Sequence, residues 1–150
     1  MKLRIIPPLV MVLFGLLMYL LDRVLPVGEF DFFGRRPLTL FLMGVALLIM
    51  ASALFQFSRH KTTTDPLDPE KASTLVTTGI YRFTRNPMYL AMLVLLIVWG
   101  LRLGNAFNTL IAAGFVYYMN HFQIKKEEEV LLRLFGKPYR TYCKAVRRWF

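Results

Sequence analysis

Apolar residues fall into four blocks along this chain, and polar or charged segments separate the blocks. A helix needs about 20 residues to span the lipid core of a membrane, with a range of about 17–25. The second block meets this length on its own, the first and fourth meet it marginally, and the third needs its flanking residues. The pattern therefore predicts about four transmembrane helices, at residues 5–21, 38–57, 88–103 and 106–122.

Composition places the chain in the membrane class. Its 150 residues are 56% hydrophobic and 19% charged, whereas soluble domains average about 45–50% apolar and about 25% charged residues. We therefore predict an all-α integral membrane protein with one domain over residues 1–150. The first block has a basic start but no small-residue cleavage site after it, so we interpret it as a retained helix. The single cysteine, Cys143, excludes an internal disulfide.

Basic residues are concentrated in two of the polar segments. Residues 58–87 contain five basic and three acidic residues, and residues 123–150 contain eight basic and three acidic residues. Because basic loops mark the cytoplasmic side, we predict that both termini and the loop at 58–87 are cytoplasmic. A bacterial inner membrane would suit this arrangement. The net charge of +10 is explained by orientation and anionic membrane lipids, so we expect no nucleic-acid partner.

The segment at 123–150 has the pattern of a helical tail on the membrane surface. Leucines and Phe135 recur at helical spacing, Gly136 interrupts them, and a second apolar stripe follows among lysines and arginines. This pattern is typical of an amphipathic helix at the interface. Trp149 and Phe150 are predicted to anchor it in the lipid.

The stretch GIYRFTRNPMYLAML, at residues 79–93, has two interpretations. Asn86 is a favourable N-cap and Pro87 is favoured at the first helical position, so the triplet could simply start a helix near Met88. A helix start also offers free N–H groups and partial positive charge to an anionic ligand. Tyr81 and Tyr89 could likewise be membrane-interface residues or flat faces for a ligand.

Three consecutive acids, Glu127, Glu128 and Glu129, follow the last apolar block. Taken alone, they are more typical of a solvated helix face. Acids so close to a membrane span can also belong to a functional site.

Two motifs in order, LVTTGIYRFTRNPMYL and EEEVLLRLFGKPYRTYCKAVRRW, flank one apolar hairpin. Together they resemble the isoprenylcysteine carboxyl methyltransferase family and its bacterial relatives, and phospholipid N-methyltransferases look similar at the same motifs. The likeness covers residues 73–148. The family consists of integral-membrane enzymes that use S-adenosylmethionine, so the resemblance implies a methyltransferase with that cofactor.

The resemblance also implies a set of site residues. The family's Thr-x-Gly-x-Tyr motif matches Thr77, Gly79 and Tyr81, and its Arg-His-Pro-x-Tyr motif matches residues 85–89 with Asn86 in place of histidine. Its paired acids match Glu127 and Glu128. The cofactor contacts implied in this way are Val76, Tyr81, Asn86, Pro87, Met88, Tyr89, Glu127 and Glu128.

Substrate contacts are implied at Gln123 and Arg85. Gln123 stands where the eukaryotic enzymes have an arginine that helps hold the substrate. Glutamine cannot form the bidentate ion pair that arginine makes with a carboxylate, which disfavours a prenylcysteine carboxylate as acceptor. No residue is assigned a catalytic role. No metal is expected, because His60 and His121 lack a third ligand at metal-site spacing.

The acceptor expected from these features is a small lipophilic thiol, amine or carboxylate that approaches through the membrane. A phospholipid N-methyltransferase is the alternative enzyme. A non-enzymatic membrane scaffold or assembly protein is the alternative of another class, but it would need neither the paired acids nor the Arg-Asn-Pro start. A transporter subunit is disfavoured because no predicted span carries an ionisable residue near its middle.

Overall fold

In the computed structural model, residues 6–25, 27–60 and 73–150 are described, and within these ranges the chain is helical. The described residues form six α-helices, one 3₁₀ turn and one π-helical segment. In chain order they are α1 (Pro7–Val24), α2 (Arg35–His60), the 3₁₀ turn (Gly79–Arg82), α3 (Pro87–Leu103), α4 (Asn108–Tyr118), the π segment (Met119–Ile124), α5 (Lys125–Phe135) and α6 (Lys137–Ala145). The described residues form no strand, and the sole β-type pairing among them is a single bridge between Glu29 and Asn105.

Two helices, α1 and α2, are long and apolar enough to cross a membrane, and α3 is a shorter apolar helix. α2 leaves large side chains uncovered, with Leu40 73% and Leu48 69% exposed. Such surfaces are stable in lipid, whereas monomers in water rarely expose apolar patches of this extent. Length and composition therefore support two membrane spans among the described residues. The four predicted spans are not confirmed. Most of the predicted loop at 58–87 cannot be compared, because residues 61–72 and the side chain of His60 lie outside the described residues.

The fourth predicted span and the predicted tail are one continuous helical path. α4 begins at Asn108, and right-handed helical backbone continues through Met119, Ile124 and Lys125 into α5. The chain between α4 and α5 winds as a π-helix, a rare form that is frequent at functional sites. The predicted boundary between residues 122 and 123 therefore lies inside the π segment.

The predicted single tail helix is corrected by the structure. Gly136 adopts a φ of 53° and separates α5 from α6, because a residue with this backbone conformation cannot continue a right-handed helix. Trp149, which was predicted to anchor the tail in lipid, packs its partly buried ring against the main core, and its N–H donates to Asn120 Oδ1 at 3.0 Å. A buried indole N–H requires such a partner. Phe150 is exposed.

The main core lies between α1, α3, α4 and the π segment. Its fully buried members include Met18, Phe115, Met119 and Ile124. The edge of the Phe14 ring meets Phe115 with centroids 5.6 Å apart, an arrangement favoured by aromatic quadrupoles. This packing holds α1 against the later half of the chain.

The α1–α2 and α3–α4 connections contact each other at one end of the helices. Phe30 N donates to Gly104 O at 2.8 Å, and Ala106 N donates to Gly28 O at 3.0 Å. The buried side chain of Asn105 donates to Leu25 O at 2.9 Å. The start of α3 and the start of α5 consequently lie at the opposite end, where the predicted site residues are found.

Gly104 should be a sensitive position in this contact. Its φ is 80°, and a Cβ there would lie 2.6 Å from Arg35 Nη1 and 3.2 Å from Phe30 O. We expect Gly104→Ala to destabilise the protein by about 1–3 kcal/mol because of strain and displacement. Thermal unfolding in detergent measures the loss. Gly44→Ala is the matched control, since nothing lies within 4 Å of a Cβ at that helical position; equal midpoints for the two variants would contradict the expectation.

Candidate active site

The start of α3 carries the Arg-Asn-Pro triplet, and Pro87 occupies its first turn as predicted. Asn86 stands at the N-cap position but makes no side-chain cap. Its amide donates instead to Arg148 O at 3.0 Å, and the Thr84 hydroxyl donates to the same carbonyl at 2.9 Å. The triplet therefore starts the helix as predicted, with Asn86 at the N-cap position, but the Asn86 side chain contacts the C-terminal backbone and does not cap the helix.

Glu127 links α5 to α3 through one of its two oxygens. The Tyr89 hydroxyl and Gln123 Nε2 both donate to Glu127 Oε1, the latter at 3.1 Å. Among the described residues no group donates to Oε2. The partly buried carboxylate thus has one oxygen held in place and one oxygen able to accept from a ligand.

Burial raises the pKa of the Glu127 carboxyl to about 7, because the charged form loses hydration. The hydrogen bonds from Tyr89 and Gln123 favour the carboxylate and oppose this shift, while the neighbouring charge of Glu128 adds to it. Glu127 therefore exchanges its proton near neutral pH. A bound cationic group would favour its ionised form.

Glu128 has a different environment from its neighbour. Arg148 donates to both of its oxygens, at 2.9 and 2.5 Å, and Arg85 Nη2 lies 3.1 Å from Oε1. Two guanidinium groups therefore neutralise this carboxylate. Arg85 Nε is buried and finds no hydrogen-bond acceptor within the described part of the chain, which leaves one donor for an anionic group.

Val76, Tyr81 and Met88 form an apolar cluster with α2. Val76 and Tyr81 are buried beside Ala53, and Met88 and Phe57 pack against them. The Tyr81 backbone oxygen accepts from the Tyr142 hydroxyl at 2.7 Å.

The Tyr81 hydroxyl lies near enough to Glu127 for the two groups to interact electrostatically. Burial raises its pKa, and the nearby Tyr142 and Glu127 raise it further. Tyr81 and Tyr89 are each only 5% exposed, so neither is a lipid-facing interface residue.

The structure brings the two sequence motifs together. Tyr89 and Arg85 of the first motif contact Glu127 and Glu128 of the second. Sequence reasoning missed several residues of the assembly: Thr84, Asn120, Tyr142, Arg148 and Trp149. The arginine at 148 was attributed to lipid attraction, and only its placement opposite Glu128 gives it a specific partner. No group of three metal-ligating side chains occurs among the described residues.

Comparison with known proteins identifies the group to which this assembly belongs. The sequence model of a family described as phospholipid methyltransferase matches residues 35–138. The chain belongs to the phospholipid methyltransferase family. Both the resemblance inferred from the motifs and the coarse assignment as a membrane methyltransferase are thereby confirmed. The match ends before most of α6 and before the C-terminal segment.

Two curated proteins are similar to parts of this chain. An uncharacterised protein of Haemophilus influenzae is 45% identical over 62 residues, which are 41% of this chain and 98% of that protein. The protein-S-isoprenylcysteine O-methyltransferase of Schizosaccharomyces pombe is 33% identical over 72 residues, which are 48% of this chain and 30% of that protein. No solved structure matches the chain.

The raised pKa of Glu127 predicts a pH-dependent stability. Between its ordinary value of 4.5 and about 7 the folded protein binds the proton more tightly than the unfolded chain. The free energy of unfolding should therefore fall by about 1–3 kcal/mol as pH rises through this window. Above the window it should level off. We expect the unfolding midpoint of the wild type, relative to Glu127→Gln, to decline from pH 4.5 to 7. A difference independent of pH would contradict this expectation.

Proposed function

We propose that this protein transfers a methyl group from S-adenosylmethionine to a lipophilic acceptor at the membrane. The observation that carries the proposal is the Glu127 carboxylate, which is oriented by Tyr89 and Gln123 and retains an oxygen with no partner among the described residues. It lies where the two family motifs meet. Membership in a methyltransferase family supports the same reaction type.

The residues present fit the chemical groups of this cofactor. Glu127 Oε2 would accept hydrogen bonds from the ammonium or the ribose hydroxyls, which are strong when one partner is charged. The start of α3, beyond Asn86 and Pro87, and the free Nε of Arg85 would suit the carboxylate. Tyr81 and Tyr89 would offer flat faces to the adenine or the cationic sulfonium.

Further apolar contact would come from Val76 and Met88, which pack around Tyr81. Bound S-adenosylmethionine supplies a methyl group on a positively charged sulfur, and the acceptor supplies the electron pair of the new bond. The chain's own residues hold and align the partners and keep water away from them. Alignment of this kind can account for several orders of magnitude in rate.

An open cleft beside Tyr81 would suit the apolar body of an acceptor. It has a volume of about 450 Å³, within the range of about 300–1,000 Å³ that is usual for small-molecule sites. It lies between α2 and the 3₁₀ turn, and its lining residues are Ala51, Ser52, Phe55, Gln56, Gly79, Ile80 and Phe83. Phe83 is 75% exposed. An acceptor could therefore reach the site from the lipid.

Gly79 makes this cleft possible in its observed shape. Its φ is 61°, and a Cβ would lie 1.9 Å from Gln56 Nε2. The 3₁₀ turn can consequently pack directly on α2, with Tyr81 two residues farther along the chain.

We propose an amine or thiol as the nucleophile, in preference to a free carboxylate. Gln123 carries no charge and already donates to Glu127, and the Arg85 guanidinium is paired with Glu128. A carboxylate acceptor would therefore lack a dedicated bidentate partner. A phospholipid amine is the second candidate, supported by the family description.

We further propose that residues 1–150 form one methyltransferase domain in a bacterial inner membrane, with both termini in the cytoplasm. The basic segments at 58–87 and 123–150 support this orientation. The cofactor would then enter from the cytoplasm and the acceptor from the bilayer. In sealed vesicles with external cofactor, turnover is expected only when the membrane is inside-out.

Glu127→Gln should weaken S-adenosylmethionine binding by about 1.5–3 kcal/mol, the range for a hydrogen bond to a charged group. Calorimetric titration of the purified protein at pH 8 measures the loss. Glu129→Gln is the matched control, because it removes the same charge from an exposed position two residues away. The assignment of Glu127 to the cofactor fails if both variants bind S-adenosylmethionine as tightly as the wild type. The proposed function itself fails if the wild type does not bind S-adenosylmethionine.

A methyl-transfer assay with labelled cofactor should identify the acceptor class. The panel contains a phospholipid amine, an alkyl thiol and a prenylcysteine, and we expect turnover on the amine or thiol. Turnover on the prenylcysteine alone would refute the proposed nucleophile.

Ser52→Phe should raise the KM for a long-chain acceptor severalfold without changing cofactor affinity, because its ring would fill the cleft. Leu48→Phe places a similar ring one turn away on the same exposed surface and should leave KM unchanged. Equal KM values for these two variants would exclude the cleft as the acceptor site.

A further inference from the structure

The C-terminal segment returns across the site after α6. We name residues 146–150 the C-terminal strap; it starts where Val146 leaves the helix in an extended conformation. Arg85 N donates to Arg147 O at 3.0 Å. The side chains of Thr84 and Asn86 donate to Arg148 O at 2.9 and 3.0 Å. The strap backbone therefore satisfies three donors at the start of α3.

The side chains of the strap reach two further elements. Arg148 forms a bidentate pair with Glu128 of α5, and Trp149 Nε1 donates to Asn120 Oδ1 of the π segment at 3.0 Å. Bidentate charge-assisted pairs fix orientation as well as contributing energy. Five residues thus connect the start of α3, the π segment and α5, which together carry Tyr89, Gln123 and Glu127.

The family comparison does not cover this connection. The matched region ends at residue 138, so the contacts of Arg148 and Trp149 are observations of this chain. Glu127 and Glu128 are adjacent on the first turn of α5. A restraint on Glu128 therefore limits the rotation of the turn that directs Glu127 towards Tyr89.

We propose that the C-terminal strap assembles the cofactor site, with Arg148 as a positioning residue that acts on Glu127 through Glu128. The proposal rests on the proposed function, because its consequence for binding presumes that Glu127 holds S-adenosylmethionine. Arg148 and Trp149 lie at the end of the second motif, but the resemblance assigned neither of them a role. Without the strap, the two motifs share the Tyr89–Glu127 hydrogen bond, the hydrogen bond from Tyr142 to the Tyr81 backbone oxygen and the Arg85–Glu128 ion pair.

Electrostatics give the proposal a specific signature. The Glu127 carboxyl faces Tyr89 from α3, Tyr81 from the 3₁₀ turn, Gln123 from the π segment and Glu128 from its own helix. The negative charge of Glu128 raises the pKa of Glu127, and Arg85 and Arg148 neutralise that charge. Loss of Arg148 should therefore raise the pKa of Glu127 further, so that binding of the cationic cofactor needs a higher pH.

The experiment measures S-adenosylmethionine affinity by calorimetry from pH 6 to 8.5 for Arg148→Gln and Arg148→Lys. We expect Arg148→Gln to lower affinity about tenfold or more at pH 7.5, equivalent to about 1.4 kcal/mol, and to shift the pH midpoint upward. The affinity of Arg148→Lys should lie between those of Arg148→Gln and the wild type. A lysine ammonium keeps the positive charge but cannot bind both Glu128 oxygens in the planar bidentate geometry. Arg140→Gln, an exposed position of α6, removes the same charge and should leave affinity and midpoint unchanged.

A second measurement is independent of the cofactor. The chain has two tryptophans, so a Trp99→Phe background leaves Trp149 as the sole emitter. Arg148→Gln should shift its emission to the red and speed amide exchange at residues 84–90, whereas Arg140→Gln should change neither. Unchanged emission and exchange in Arg148→Gln would refute the strap even if the wild type binds no cofactor. Altered emission with unaltered affinity and pH midpoint would refute its role in positioning.

Discussion

The hydrogen bond from Tyr89 to Glu127 is the interaction on which the rest of the site depends. It joins the start of α3 to the start of α5, two elements about forty residues apart in the chain. A hydrogen bond to a charged group contributes about 1.5–3 kcal/mol, but burying a carboxylate costs free energy in return. The balance leaves the pKa of Glu127 near 7. The same carboxylate is therefore restrained in position and responsive to the charge of a ligand.

The two adjacent acids are separated in function by their surroundings. Glu127 lies against tyrosines and an amide, whereas Glu128 is enclosed by two arginines. Neighbouring carboxyl groups with contrasting environments commonly have contrasting roles in enzymes. We propose that the first contacts the cofactor and that the second holds the C-terminal strap. Each of the two positions would therefore need a carboxylate for a different contact.

The bilayer explains where the polar chemistry is located. Along α1 and α2 most large side chains are exposed and apolar, which is compatible with lipid as their solvent. Polar backbone and charged side chains can be satisfied only at the helix ends or inside the protein. The ion pairs of Glu128 and the hydrogen bonds of Glu127 accordingly lie beyond the ends of the apolar segments. A lipophilic acceptor and a polar cofactor could meet at such a boundary without either crossing an unfavourable medium.

Local pattern was sufficient to predict the helical class, the start of α3 at Pro87 and the motifs that identify the methyltransferase family. These features depend on residues close together in sequence: apolar runs, a proline at a helix start and the spacing within each motif. Other features could be found only from the tertiary structure. They are the hydrogen-bond partner of Asn86, the different surroundings of Glu127 and Glu128, and the position of Trp149. Each depends on a group more than fifteen residues away. The π segment was likewise not predicted, and its residues Asn120 and Gln123 have partners on different elements, Trp149 and Glu127. Sequence alone determined which residues could bind a ligand or ionise. The packing of the C-terminal strap against the start of α3 and α5 decided which of these residues are already paired within the protein. This is because hydrogen bonds and charge neutralisation depend on distance in space.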